Sequence, residues 1–551
     1  MDSCALVSKR ASGDDMNDSA LPELSPQASP EFTDEESVKA WLENIPLANV
    51  IESQRQLLDQ IEEFNRLPTK ATSRLAVLEA LREAVNFVQI EQAKRFTNRA
   101  LPMVEAEQAV FGDTIGLWEQ LRLGYLRCLE ACIAGEAGMR GQGAMVCQRA
   151  LMYTGLKMFH HYRAYRQVPA GEWRALHAAY AQAEALEVAE EEVKDYLNRD
   201  VHDTSPRIAY VRAVMMGLAN PNELAQRQLT FVAFLLERWA GKVEISRTPA
   251  EEGDVPPLVV DLAGSRCAER GGADAKDARY IDVSKLAKSV RNRIGLLRKG
   301  ESPAKLALGE DCVQPSCEQL LVFLYRQWCQ HRPPRDGDRR RVSDHAQACQ
   351  SMPAAHYYLS GKVFKQPGEQ KELTQKQREE IATFGRIATR DDDDYSHAQG
   401  FLLESWQLSD ESVQGLKIVR RVANPGKRYS NGQLIAVRPT DAKSFMLGQV
   451  RWLMSAENGD LFAGVKVLPG LPAATAVRPT GINVTGEKWV QALTLTAVAA
   501  LETPPTLLLP SGWYKPKRVI EVFVQAPIRV RLVDMLDRGI DFERVAYEGV
   551  A

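Results

Sequence analysis

Apolar positions between residues 37 and 245 recur at helical spacing. Val50, Ile51, Leu57, Leu58, Ile61 and Phe64 fall three, four and seven apart, and Pro68 ends that run. Thr72 or Ser73 can cap the next helix, whose apolar face is Leu75, Leu78, Leu81, Val85 and Val88. Further amphipathic segments lie near 113–134, 142–165, 170–197, 207–218 and 222–240, with breaks at Gly135, Gly138, Pro169, Pro206 and Pro221. The pattern predicts an all-α domain of antiparallel helical hairpins over 37–245. No fixed period near 34 residues repeats along it, yet stacked hairpins still offer grooves suited to a partner protein.

Residues 246–330 read as a mixed α/β connector. Leu258, Val259, Val260 and Leu262 suggest one short strand, and Tyr280, Ile281 and Val283 another. A polar Gly-rich loop, GSRCAERGGADAKD, separates them. A basic amphipathic helix follows, with Lys285, Lys288, Arg291, Arg293 and Arg298 against Leu286, Val290, Ile294 and Leu297. From about 340 the period changes to two. HYYLSGKVF, FLLESWQL, LKIVRRV, QLIAVRP, SFMLGQVRWLM and LFAGVKVL read as strands separated by Gly, Asn and Asp turns. ELTQKQREEIATFGRIATR, near 372–390, interrupts them as a helix. Short strands at close spacing predict a small antiparallel β-barrel. A β-rich extension over 481–551 carries VQALTLTAV, TLLLP, RVIEVFV and IRVRLVD, with a short helix expected near Val533–Arg538. It either completes the barrel or forms a second one.

Charge modifies this picture at the N-terminus. Nine acids against Lys9 and Arg10 put −7 on residues 1–36 and leave +4 on the rest of a chain whose net charge is −3. With little apolar material, 1–36 reads as a disordered acidic tail. The near-neutral total argues against a protein that coats nucleic acid. No apolar run reaches the ~18 residues of a membrane helix, and MDSCALVSKRASGDDMNDS lacks the apolar core of a secretory signal. The nine cysteines are scattered, and the close pairs Cys128/Cys132 and Cys312/Cys317 lack CxxC spacing. These observations predict reduced thiols and a cytoplasmic location, with no membrane insertion and no metal site.

The informative residues are Asp410-Glu411-Ser412-Val413-Gln414-Gly415, a D-x-S-x-x-G between the strands FLLESWQL and LKIVRRV. Gly448-Gln449-Val450-Arg451-Trp452 follows, then an Asn458-Gly459 turn, then Ala463-Gly464-Val465-Lys466-Val467-Leu468. Hexapeptide, strand order, Trp452 and the GVKVL strand together resemble the PilZ family, small β-barrels that bind the bacterial second messenger cyclic di-GMP. The resemblance covers about 340–475 and implies a PilZ-like barrel over 331–480 with a helical insertion near 372–390. It also implies a receptor rather than an enzyme, with cyclic di-GMP as ligand and no cofactor. The family places an R-x-x-x-R motif before its first barrel strand, and this sequence offers two. Arg335 and Arg339 lie in the basic linker HRPPRDGDRRR, with Arg340 and Arg341 as near substitutes. Arg386 and Arg390 lie closer to the hexapeptide but precede four acids, Asp391–Asp394, which compete for guanidinium groups. If 372–390 is an insertion between two barrel strands, the linker pair is the family's motif.

The chemistry suits a ligand with two phosphates and two guanines. Arginine presents a planar fork to phosphate oxygens or to guanine O6 and N7, and it stacks on purines. Asp410 can accept from guanine N1–H and N2–H₂. Ser412 can donate to phosphate. Gly415 either permits close backbone approach or takes a positive φ. Arg420 and Arg421 could assist; Trp406 and Trp452 read more readily as barrel core than as guanine platforms. The adjacent His160 and His161 point about 100° apart on a helix and do not read as metal ligands. No P-loop, nucleophile elbow or H-E-x-x-H is present. The reading is a cytoplasmic cyclic di-GMP-binding signalling adaptor, with an unidentified protein partner on the helical domain and an output in motility, pili, adhesion or exopolysaccharide. A ligand-free PilZ-like scaffold is the alternative. A helical nucleic-acid binder is a second, resting on the basic helix at 285–298.

Overall fold

The computed structural model describes residues 21–249, 256–272, 274–309, 312–330, 340–367, 400–412, 414–424, 426–480 and 488–550. The chain forms two compact units, Met1–Arg99 with Met103–Pro334, and Ala100–Pro102 with Arg335–Ala551. Among the described residues no helix is long and apolar enough to cross a membrane.

The first unit is mostly helical: α1 (Glu35–Asn44), α2 (Val50–Arg66), α3 (Ala71–Ala93), α4 (Glu105–Ile133), α5 (Gly143–Arg163) and α6 (Ala170–Ala185). A two-stranded hairpin, β1 (Val193–Lys194) and β2 (Asp203–Thr204), leads to α7 (Pro206–Leu218) and α8 (Gln226–Trp239). The heptad-like run at 50–64 is the buried face of α2, where Leu57, Ile61 and Phe64 meet Leu78, Leu81 and Val85 of α3. The periodic stretch at 170–197 stops early. Glu187 takes a left-handed backbone (φ 60°), and the fully buried Asp195 is held by Arg82 at 2.7 Å and Arg149 at 3.2 Å. That carboxylate fixes the hairpin instead of a longer helix. The disorder expected over 1–36 does not hold for the end of that span. Phe32 is buried between Trp41 and Phe64, and Asp34 caps α1 by accepting from Ser37 N at 2.9 Å. Residues 1–20 lie outside the described part.

Four further strands, β3 (Glu244–Ser246), β4 (Leu258–Asp261), β5 (Glu269–Arg270) and β6 (Ala278–Asp282), make a sheet of order β3-β6-β4-β5. With α9 (Ser284–Arg298) and α10 (Ser316–Cys329) they share one core with α7 and α8, and Trp328 Nε1 donates to Met215 O at 2.9 Å. The thiols are not all reduced. Cys312 and Cys317, with Cα atoms 5.1 Å apart, form a disulfide, a separation inside the usual range.

The second unit contains two closed antiparallel barrels. The first is built from β7 (Arg340–Gln350), β8 (Glu404–Ser412), β9 (Gly415–Arg420), β10 (Leu434–Pro439), β11 (Met446–Ser455) and β12 (Leu461–Val467), in the order β10-β11-β12-β9-β8-β7, with β7 closing on β10. The second is built from β13 (Pro472–Pro479), β14 (Val490–Leu495), β15 (Thr506–Pro510), β16 (Val519–Phe523), β17 (Pro527–Arg538) and β18 (Phe542–Gly549), in the order β13-β14-β15-β18-β17-β16. The extension over 481–551 thus supplies five of the six strands of a second barrel, and β13, from before residue 481, completes it. Two element expectations are corrected. HYYLSGKVF is no strand; its first half belongs to α11 (Met352–Ser360), which Ser351 caps and Gly361 ends in a left-handed conformation. The helix expected near Val533–Arg538 is the end of β17, drawn into pairing with β18 through two register shifts. Between the barrels, α11 and Phe542 join Leu434, Leu447, Leu493 and Leu508 in one shared core.

Candidate functional site

Alternation along β8 turns Glu404, Trp406 and Leu408 inward. A register shift between Leu408 and Asp410 then changes the pairing at the strand's end. From there Asp410 pairs with Lys417 and Ser412 with Gly415 across the hairpin turn. Ser412 Oγ donates to Gly415 O at 3.2 Å. Gln414 O accepts from Val467 N at 3.0 Å, which ties the turn to β12. Gly415 is outside the set of positive-φ residues. It is a close-approach glycine: a Cβ there would stand 3.0 Å from Val465 O. Of the two roles expected of it, space is the one this backbone uses.

Strand register extends the face sideways. Gly415 and Lys417 pair with Lys466 and Gly464 of β12, which pair in turn with Gln449 and Trp452 of β11. Residues two apart on a strand share a face, and the register shift between Val450 and Trp452 keeps Trp452 on the side of Gln449. Asp410, Ser412, Gly415, Lys417, Gly464, Lys466 and Trp452 therefore form one outer patch, with Gln449 buried beside it. Its floor is low at the two glycines. Trp452 is half-buried and lies across Gly464, where a Cβ would collide with the indole. Lys417 Nζ stands 5.7 Å over the Phe462 ring. The patch therefore combines a carboxylate, a hydroxyl, two ammonium groups and an aromatic wall. Lys417, Lys466, Gly464 and the outward position of Trp452 were not singled out as ligand-facing from the sequence. Cross-strand register is the signal that finds them.

The other barrel candidates are engaged inside or at the rim. Trp406 is fully buried, 5.4 Å edge-to-face from Tyr429. Arg420 is buried with Glu404 at 2.6 Å and lies over both rings. Arg421 pairs with Asp460 at 2.7 Å. Burial alone would raise the Asp460 carboxyl, but the Val422 amide and Arg421 hold it below the ordinary range. Arg335, Arg339, Arg386 and Arg390 lie outside the described residues. The backbone on either side of them is described. Arg340 and Arg341 of β7 pair with Glu411 and Asp410, whereas β8 begins at Glu404, which pairs with Ala348 at the other end of β7. Among the described residues no group of three or more metal-ligating side chains converges.

Comparison with known proteins assigns both flanks of this barrel. A family model described as the N-terminal domain of cyclic-di-GMP receptor FimW matches residues 36–251, and a model described as the FimW C-terminal beta-barrel domain matches residues 475–550. A curated Pseudomonas aeruginosa PAO1 protein named cyclic-di-GMP receptor FimW is 24% identical over 526 residues, covering 86% of this chain and 83% of that protein. The chain is thus similar to the FimW receptors over its helical unit and its second barrel. Both the N-terminal model and the relative are described as a receptor. The FimW C-terminal match coincides with the second barrel, and the FimW N-terminal match runs from α1 past β3. The outer patch lies between the two matched spans, on the barrel that carries the PilZ-like hexapeptide.

Proposed function

We propose that this protein is a cytoplasmic cyclic di-GMP receptor that takes its ligand on the outer patch of the first barrel and couples it to a protein partner through the helical unit. The output would lie in motility, pili, adhesion or exopolysaccharide. One observation carries the ligand reading: the pairing of Arg340 and Arg341 with Glu411 and Asp410. It means that the chain before Arg340 leaves the barrel beside the hexapeptide. Arg339 is one residue from that point, and Arg335 is five, a reach of at most ~18 Å. The linker arginines precede β7, the first strand of the barrel, and Asp410 lies near the end of β8, its neighbour. By contrast, the chain carrying Arg386 and Arg390 rejoins the barrel at Glu404, and six residues of strand (~20 Å) then separate it from Asp410. The name of the Pseudomonas aeruginosa relative supports the same ligand.

In this reading Arg335 and Arg339 clamp the phosphates and guanine Hoogsteen edges. Asp410 accepts from a guanine Watson–Crick edge. Ser412 turns its hydroxyl from Gly415 O to a phosphate oxygen, and the low floor at Gly415 and Gly464 admits the ligand. Engagement of Arg335 and Arg339 by the ligand gives the partner a changed surface by shifting populations. Calorimetric titration of the purified chain with cyclic di-GMP tests it. Saturable heat at low micromolar ligand is expected, with Ser412→Ala binding at least about 10-fold more weakly through loss of one charge-assisted hydrogen bond. No heat at tens of micromolar would leave a ligand-free scaffold.

A further inference from the structure

We propose that Lys466 is an anion contact of this same site, and that it reaches the ligand by leaving a carboxylate of the second barrel. The inference rests on the receptor reading above. Lys466 is the cross-strand partner of Gly415, which is in turn the partner of Ser412, so Lys466 lies two strands from Ser412 on the same face. Its Nζ now bonds Asp537 Oδ1 of β17 at 2.6 Å. Asp537 is also bonded by Arg544 Nη1 of β18 at 2.9 Å, and the Asp537 and Arg544 side chains are only 9% and 5% exposed. Lys466 is 43% exposed.

That asymmetry sets which bond can break. A buried carboxylate stripped of its last cation is strongly unfavourable. Asp537 is not stripped, because Arg544 stays. The Lys466 stem is long and half in water, and the glycines at 415 and 464 leave room beside it. A dianionic ligand at Ser412 therefore competes with Asp537 for a mobile ammonium that another cation can replace at Asp537. Next to Lys466, Gln449 Nε2 donates to Arg538 O of β17 at 3.0 Å. Release of Lys466 leaves that bond as the neighbouring tie between patch and second barrel, so ligand occupancy is transmitted to β17 at Asp537–Arg538.

The test is calorimetry with cyclic di-GMP on the full chain carrying Lys466→Gln, Lys466→Arg, Asp537→Asn or the Lys466→Gln/Asp537→Asn pair. Lys466→Gln should bind about 10-fold more weakly and Lys466→Arg close to wild type, as for loss and retention of a charged hydrogen bond. Asp537→Asn should bind about 3-fold more tightly, because it frees Lys466, and should change nothing once Lys466 is glutamine. A merely structural tether predicts the opposite sign for Asp537→Asn. Hydrogen exchange on the wild-type chain provides a readout that needs no variant, with faster exchange at 536–541 expected on adding ligand. Wild-type affinity in Lys466→Gln, weaker binding in folded Asp537→Asn, or unchanged exchange at 536–541 would overturn the inference. Absence of any wild-type binding would instead overturn the receptor reading.

Discussion

Replacing Arg335 and Arg339 together by alanine is expected to weaken cyclic di-GMP binding at least 100-fold, while Arg386→Ala/Arg390→Ala stays within about 3-fold of wild type. The magnitude follows from two charged forks. Each charge-assisted contact contributes about 1.5–3 kcal/mol, and a 100-fold loss is about 2.7 kcal/mol. Arg335→Lys/Arg339→Lys should recover little, because an ammonium cannot span two acceptors as a guanidinium does. Arg340 and Arg341 lie at the mouth of the same linker, so residual binding in the double variant should vanish when Arg340 is also removed. The direction of the asymmetry comes from β7 and β8 running antiparallel. One arginine pair precedes the strand end beside Asp410, and the other precedes the opposite end. Equal losses in both double variants would overturn that division, and no loss in the linker variant would overturn the binding mode. Calorimetry reads both directly.

The barrel strands were legible because their period is short and their turns are marked. LKIVRRV, QLIAVRP and LFAGVKVL become β9, β10 and β12, and Asn458-Gly459 turns the chain between β11 and β12 with Gly459 at φ 84°. Failures fall where an apolar run is too short to show its period. HYYLSGKVF alternates as a strand would, yet Ser351 ahead of it and Gly361 within it are helix boundary signals that outweigh its short apolar run. Val533–Arg538 could be helix or strand by pattern, and only the partner β18 decides it. The hexapeptide and its relation to β9 were readable in line. The patch around it was not. Lys417, Lys466, Gly464 and Trp452 come from three strands, and no local pattern states which residue of one strand faces which of another. The same limit hid Asp195, whose partner Arg82 lies 113 residues away.

Mild acid should loosen the helical unit well before its carboxylates titrate. His160 and His161 sit on α5 among Phe96, Phe111 and Trp118, with ring contacts of 6.0, 5.2 and 6.3 Å. Neither Nδ1 has a hydrogen-bond partner. Burial, with Arg163 beside His160, holds that imidazole well below its ordinary pKa. Burial, with Arg166 and Lys157 nearby, lowers His161 to about 3. The folded chain therefore refuses protons that the unfolded chain accepts near 6.5, so stability is fully present above pH 6.5 and falls as the pH drops toward 3. At about 1.4 kcal/mol per pH unit, His161 alone removes roughly 2 kcal/mol by pH 5. Asp195 and Glu79 act in the same direction but later. Burial would raise both carboxyls, yet Arg82 and Arg149 hold them below their ordinary range, so their contribution is lost only below about pH 4. The window between 6.5 and 4.5 belongs to the histidines. Hydrogen exchange of α5 in the full chain, scaled for the intrinsic pH dependence of exchange, should show protection falling across that window. In His160→Leu/His161→Leu most of the fall should disappear, leaving the part due to His177, which burial also holds below its ordinary pKa. Protection that stays level in the wild-type chain from pH 7 to 4.5 would mean that these imidazoles take up protons without opening the aromatic core around them.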